Sequence, residues 1–202
     1  MRRLTALIKK IVPFPAETQN KFFKIAKALD LMPGEWIPDD LPSDTHFFVE
    51  EGFLLLTRYQ DNRWKCVNFY FEGTLAVTFS EGASEMKEGS YRVRATEPTR
   101  IYYLTSEDVY HVYKIFPDYT IVSSVLRQRS FMKHNQRAAL LHLPPPDRII
   151  NTDLHFRYLF RAPLQELTEF LGLEDDEVGK VVLDAFHNKS FSTKTHLVQQ
   201  NN

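Results

Sequence analysis

Cysteine is almost missing: Cys66 is the only one among 202 residues. One thiol excludes an internal disulfide framework and an iron–sulfur cluster held by four thiolates of one chain. It fits a reducing compartment. An excess of either charge is missing too: 25 basic and 26 acidic side chains leave a formal net charge of −1. No overall basic field gathers nucleic acid, so any affinity for DNA has to come from a local patch. Long apolar runs are also absent. The opening MRRLTALIKKIV has a signal-like pair of arginines, but Lys9 and Lys10 interrupt an apolar stretch already too short for a signal core or a membrane span. A short amphipathic helix that packs Leu4, Leu7, Ile8 and Ile11 inward is expected there. A bacterial-type cytoplasmic protein with no membrane partner follows as the expectation.

Signatures of catalysis and metal binding are scarce. The sequence has no Gly-rich phosphate loop and no nucleophile elbow. Its seven histidines (46, 111, 134, 142, 155, 187 and 196) are scattered. A cupin-like site needs a close His pair, a carboxylate and another His, and only His46 falls in the strand-rich stretch. The acidic pairs Asp39-Asp40 and Glu50-Glu51 are expected in turns as solvated carboxylates. No enzymatic activity, metal or cofactor is expected.

What is present is an ordered change of periodicity, in a composition (43% hydrophobic, 25% charged) typical of a folded protein. Up to about Leu31 the spacing of Phe22, Phe23, Ile25, Ala26 and Leu29 predicts a helix. From Glu35 to about Leu104, turn pairs separate short runs rich in aromatic and β-branched residues, such as HFFVEEGFLLLTRY, WKCVNFYF, YRVRAT and RIYYLT. Such spacing suggests a β-sandwich or roll. Helical signals return at SEDVYHVYKIF, with Ser106 as the expected cap.

A long helix over 118–143 follows and stops at Pro144-Pro145-Pro146. Along it Val125, Met132 and Ala139 fall seven apart, beside a column of Ile121, Gln128, Asn135 and His142. This half-apolar seam suits pairing between two subunits, with the polar column setting register. The alternative is that the helix packs only against its own roll. Beyond the prolines, DRIINTDLHFRYLF and LQELTEFLGLEDDEVGKVVLDAF read as a compact helical unit, and the polar end NKSFSTKTHLVQQNN as a loose tail. Two domains are expected, 1–143 and 144–202.

This order of parts, with the stretches LTALIKKIVPFPAE, PGEWI, HFFVEEG, YRVRATEPTRIYYLT and LTEFLGLEDDEVGKVV, resembles the Crp/Fnr family of transcription regulators. The N-terminal half is most similar to the branch common in Bacteroidetes-type genomes. The resemblance implies an α+β protein. Its N-terminal double-stranded β-roll is similar to a cyclic-nucleotide-binding domain and is flanked by helices. A long dimerisation helix and a small winged-helix-like C-terminal module complete it. A homodimer through the 118–143 helix, a small-molecule effector and DNA are the implied partners.

Both implied sites are altered. In members that hold cyclic AMP, a Glu binds the ribose hydroxyls and an Arg-Ser pair holds the cyclic phosphate. Register carried over from YRVRA places the Glu at Phe79 and the pair at Gly89 and Ser90, so one anchor of three survives. A buried phosphate without its guanidinium typically loses several kcal/mol. The implied effector pocket is thus lined by Phe79, Ser80, Gly89, Ser90 and Arg92, and does not suit cyclic AMP. Arg92 and Arg94 share a strand face and could supply an anion site. The alternative is that both are solvated, with Val93 facing the core.

In the cyclic-AMP-responsive members the reading helix carries an Arg, an adjacent Glu and a second Arg four residues beyond that Glu. Here those positions hold Asp175, Asp176 and Lys180. Asp176 suits a cytosine amino group and Lys180 a guanine, each worth about 1–3 kcal/mol of discrimination. Gln165 on the preceding helix is the third expected contact. From Pro163 to Asn188 seven acids face one base, Lys180, so duplex binding is expected to be weak. Acids in a first turn also stabilise a helix by about 0.3–1 kcal/mol each without any ligand. Arg157, Arg161, Lys189 and Lys194 flank the module as compensating cations. Two functions of different kinds stand at this stage: a dimeric regulator that senses an unidentified effector, and an interaction module on the same frame that has lost DNA binding.

Overall fold

Two amphipathic segments open the chain, and their apolar residues decide what covers the first sheet. The computed structural model describes residues 1–41, 44–77, 89–155 and 161–173. Helix α1 (Arg2–Lys9) buries Leu4 and Ile8, with Leu7 and Ile11 half-buried beside them. Helix α2 (Ala16–Ile25) follows Pro15 and buries Phe22, whose ring meets Phe14 edge-on at 5.8 Å. The helix expected to reach Leu31 stops at Ile25. Ala26 is extended, and Lys27–Leu31 form strand β1. Tertiary pairing overrides the helical spacing here: β1 pairs with β7 (Thr99–Leu104), and Arg100 donates to both carboxylate oxygens of Asp30, at 2.6 and 2.9 Å.

The strands β2 (His46–Glu51), β3 (Phe53–Gln60), β4 (Arg63–Phe71), β5 (Leu75–Val77) and β6 (Tyr91–Ala95) complete two antiparallel sheets. Their orders are β1-β7-β2-β5 and β4-β3-β6. Residues at alternate positions point to one face of a strand, so each sheet turns a single face to the shared interior. Phe47, Val49 and Ile101 from one sheet pack there with Leu54, Leu56, Tyr70, Val93 and Ala95 from the other. A bulge between Leu56 and Thr57 shifts register along β3 and β4. The other face of the four-stranded sheet is covered by α1, α2, α3 (Ser106–Ile115) and the start of α4 (Tyr119–Leu141), through Leu4, Ile8, Phe22, Phe48, Val112 and Val122.

Two local expectations are corrected. Thr105, not Ser106, caps α3. Its hydroxyl accepts from the Asp108 amide, and the Asp108 carboxylate accepts from the Thr105 amide. Glu50 and Glu51 lie on β2 rather than in a turn, and Glu50 is only 8% exposed. Its carboxylate accepts from the backbone amides of Arg3 (2.8 Å) and Leu4 (3.1 Å) and pairs with the Met1 ammonium at 2.9 Å. A carboxylate at a helix N-terminus satisfies amides that the helix itself cannot. Burial alone would raise its pKa. The hydrogen bonds from Arg3, the Met1 ammonium and Leu4 outweigh burial and hold the carboxyl below its usual range.

The chain divides into two compact units, residues 1–134 and 135–202. This division falls within α4. In the second unit, α5 (Pro145–His155) begins on the prolines that follow α4, where a residue without an amide suits the first helical position. Helix α6 (Leu164–Leu171) buries Leu167, Phe170 and Leu171 and ends at Gly172. That glycine adopts the left-handed conformation (φ 59°) that closes a helix C-terminus.

Two glycines of the first unit provide a controlled comparison. Gly52 (φ 99°) has no room for a side chain: a Cβ would lie 2.3 Å from Thr99 Oγ1 and 2.7 Å from the Pro98 carbonyl oxygen. Gly73 (φ 83°) faces open space. Gly52→Ala is expected to lower unfolding free energy by about 3 kcal/mol or more, and Gly73→Ala by about 1 kcal/mol, in chemical denaturation.

Candidate functional site

The register of β3 and β6 decides where the expected effector residues go. Gly89 (φ 90°) donates its amide to the Tyr59 carbonyl at 2.9 Å, and the Tyr59 amide donates to the Ser90 carbonyl at 2.8 Å. The β3–β6 ladder thus continues through both residues. Phe79 and Ser80 lie outside the described residues. Inside, Val93 and Ala95 face the core, and Tyr91 packs against its edge. Tyr70 meets Phe47 edge-on at 5.4 Å, and burial pushes its phenol above the usual range.

Arg92 belongs to the opposite face. It forms a bidentate pair with Asp39 (3.1 and 2.8 Å) and stands 4.6 Å over the Trp36 ring and 5.9 Å over Trp64. Arg94 lies 5.6 Å from the Trp36 ring centre. Neither arginine is merely solvated, and Asp39 is not a free turn acid: planar guanidinium stacks on indole while its fork meets a carboxylate. Trp36 and Asp39 come from one loop that backbone hydrogen bonds tie to β6 (the Ile37 amide to the Val93 carbonyl and the Ala95 amide to the Glu35 carbonyl, both 2.8 Å), and Trp64 comes from β4.

His46 was the lone histidine expected on the roll, and it proves to be a polar junction. It is 3% exposed on β2, between two residues of α4. Its Nε2 lies 2.7 Å from Arg127 Nη2 and its Nδ1 3.3 Å from Tyr119 Oη. A guanidinium only donates, so Nε2 accepts, and the proton on Nδ1 is directed at the tyrosine oxygen. Burial, with the Arg127 charge adding to it, pushes the imidazole down to about 4. A cavity of about 10 Å³ beside it, lined by Leu4, Phe22, Phe48, Tyr102 and Leu126 among others, has room for about one water.

Along α4, Val122 and Leu126 turn into the core, while Ile121, Gln128, Met132, Asn135 and Ala139 are exposed and Val125 is half-buried. The expected seam therefore points away from the helix's own roll over residues 121–132. Phe131, 64% exposed, stands next to it.

In the second unit Gln165 is exposed on α6. Asp176 and Lys180 lie outside the described residues. Two arginines fix the end of α6, and no sequence motif announces them. Arg148 donates to the carbonyls of Leu143 (2.8 Å), Leu171 (2.9 Å) and Gly172 (2.8 Å). Arg137 donates to the Phe170 carbonyl at 3.0 Å and stacks 4.9 Å over its ring. Both satisfy carbonyls left unpaired at the negative end of a helix dipole. Among the described residues there is no cluster of three metal-ligating side chains, and no helix is long and apolar enough to cross a membrane.

No protein-family profile and no curated protein matches the sequence. Solved structures do match in fold. A cyclic-nucleotide-binding-domain-containing protein from Listeria monocytogenes EGD-e is 13% identical, with a TM-score of 0.65 over 92% of this chain and 91% of that one. The c-di-GMP-responsive global regulator CLP of Xanthomonas campestris is 14% identical, with a TM-score of 0.61 over 87% of this chain and 93% of that one. FixK2 of Bradyrhizobium japonicum is 13% identical, with a TM-score of 0.62 over 82% and 86%. The chain therefore shares the fold of these structures, with a cyclic-nucleotide-binding-type roll flanked by helices; of the architecture the resemblance implied, the roll is the part this supports.

The His46 junction sets a pH response. The folded protein keeps this imidazole neutral down to about pH 4, whereas in the unfolded chain it takes up a proton near its ordinary value of 6.5. Its contribution is complete above pH 6.5 and is lost as the pH falls through 4. Urea denaturation between pH 7 and 4 is expected to show a decline that is shallower in His46→Gln.

Proposed function

We propose that the chain is a transcription regulator of Crp/Fnr type, acting in the cytoplasm. In this reading its roll senses a small effector other than cyclic AMP, and its C-terminal module touches an operator. The observation that carries the reading is agreement in fold along 87% of the chain with a protein described as a global regulator. Gly89, and Phe79 at the place of the ribose-binding carboxylate, argue against cyclic AMP, because neither offers a charge. Asp176, Lys180 and Gln165 are the proposed DNA contacts. No step of this function requires a catalytic group.

Pairing through the 118–143 helix belongs to the proposal. Exposed Ile121 (51%) and Met132 (55%) lie on the seam with half-buried Val125, an apolar stripe that a second copy would cover. Sedimentation of the full chain should report a dimer. Ile121→Glu with Met132→Glu should shift it to monomer at micromolar concentration, with the roll still folded.

The acid-rich stretch from Glu174 to Glu177 favours a second reading, an interaction module without DNA activity. A mobility-shift assay at low salt separates the two. Asp175→Arg with Glu177→Arg is expected to raise affinity for sheared DNA by roughly tenfold or more and to steepen its salt dependence. No change in either would mean that this segment does not meet phosphate, and the second reading would stand.

A further inference from the structure

The inner face of the three-stranded sheet ends in a row that meets the apolar core only through Tyr91. Directly paired residues of antiparallel strands share a face. The rows run from Ala95 beside Leu54 and Tyr70, through Val93 beside Leu56, to Tyr91 beside Arg58 and Lys65. The first two rows are core, and the third places two cations opposite one another at its edge. Like charges so placed repel. Lys65 is met by Asp61, but among the described residues no carboxylate pairs with Arg58. Its guanidinium lies 5.8 Å over the Tyr91 ring.

Gly89 makes the room. A Cβ on that residue would stand 3.7 Å from Arg58 Nη2, in ordinary contact, so a longer side chain directed there would press on the guanidinium. The positive φ there further favours glycine. A charged fork is thus held on an aromatic ring, beside a second cation and at the border of an apolar interior edged by half-buried Leu41 and Val67.

We propose that Arg58, with Lys65 in support, is the anchoring cation of the effector site, and that the effector is a small organic oxyanion: a phosphate or carboxylate head on an apolar or aromatic body. This rests on the reading of the roll as an effector sensor. A forked donor pair matches such a head, and its negative charge relieves the repulsion between Arg58 and Lys65.

Calorimetric titration of the full chain with phenyl phosphate, benzoate and phenol tests the proposal. The first two probes should bind and phenol should not, and their ratio tells which head is preferred. Arg58→Met, which keeps the stem, should weaken the preferred anion by roughly tenfold or more, because a charge-assisted bidentate contact is lost. Lys65→Met should weaken it less, and Arg63→Gln not at all. Arg58 is exposed, so Arg58→Met should unfold at the wild-type temperature in the absence of probe. Equal anion binding by wild type and Arg58→Met, or anion binding by neither, overturns the proposal. Tight binding of phenol by both overturns it while leaving an effector-sensing roll in place. If anions bind through Arg58 but never change DNA mobility, the anion site stands and the regulator reading fails.

Discussion

Burial of one face of each sheet against the other is the constraint on which the rest depends. Phe47, Val49, Leu54 and Ile101 are each at most 1% exposed, and a one-residue slip of β7 would put Arg100 or Tyr102 in the place of Ile101. The register that this forbids from moving also sorts the charged residues of β3 and β6. Arg58 and Tyr91 fall at the edge of the inner face, and Arg92 falls on the outer one with Trp36 and Asp39. The division between an apolar inner face and an outer face braced by the Arg92–Asp39 pair follows from packing and strand register.

Arginine carries much of the fold's polar work. Arg100 fastens β7 to β1, Arg92 ties the Asp39 loop to β6, and Arg127 meets His46 between β2 and α4. In the second unit Arg137 and Arg148 close the end of α6. Each uses planar donors where a lysine ammonium would supply a single point charge. A count of basic residues therefore overstates what remains for a polyanion: in the second unit two arginines are spent on carbonyls at Phe170, Leu171 and Gly172. This deepens the electrostatic problem of the acid-rich stretch that follows Gly172.

Much of the architecture was legible in the sequence because periodicity and punctuation encode it locally. The alternating aromatic runs became strands, the prolines separated two helices, and Gly172 adopted the left-handed turn its position required. Leu29 shows the limit of such reasoning. It sits at helical spacing from Phe22 and Ile25, yet it lies in β1 because a sheet edge was available to Lys27–Leu31 and propensity differences are small beside a full strand pairing. The candidate site was less legible. Glycine at position 89 advertises a missing cation, but the cation beside it comes from residue 58, thirty-one positions earlier, through strand register alone.

Outside Lys27–Leu31 and Glu50-Glu51, the sequence by itself determined which segments are helical or extended, which residues are apolar enough to be buried, and that no global charge draws the chain to nucleic acid, since each of these depends on near neighbours or on composition. Only the tertiary structure decided that Glu50 caps α1, that His46 is held neutral between Tyr119 and Arg127, and that Arg58 and Arg92 stand on opposite faces of one sheet. Those outcomes depend on contacts between residues roughly 30 to 80 positions apart, and on the burial that changes the free energy of a charge, neither of which a linear pattern contains.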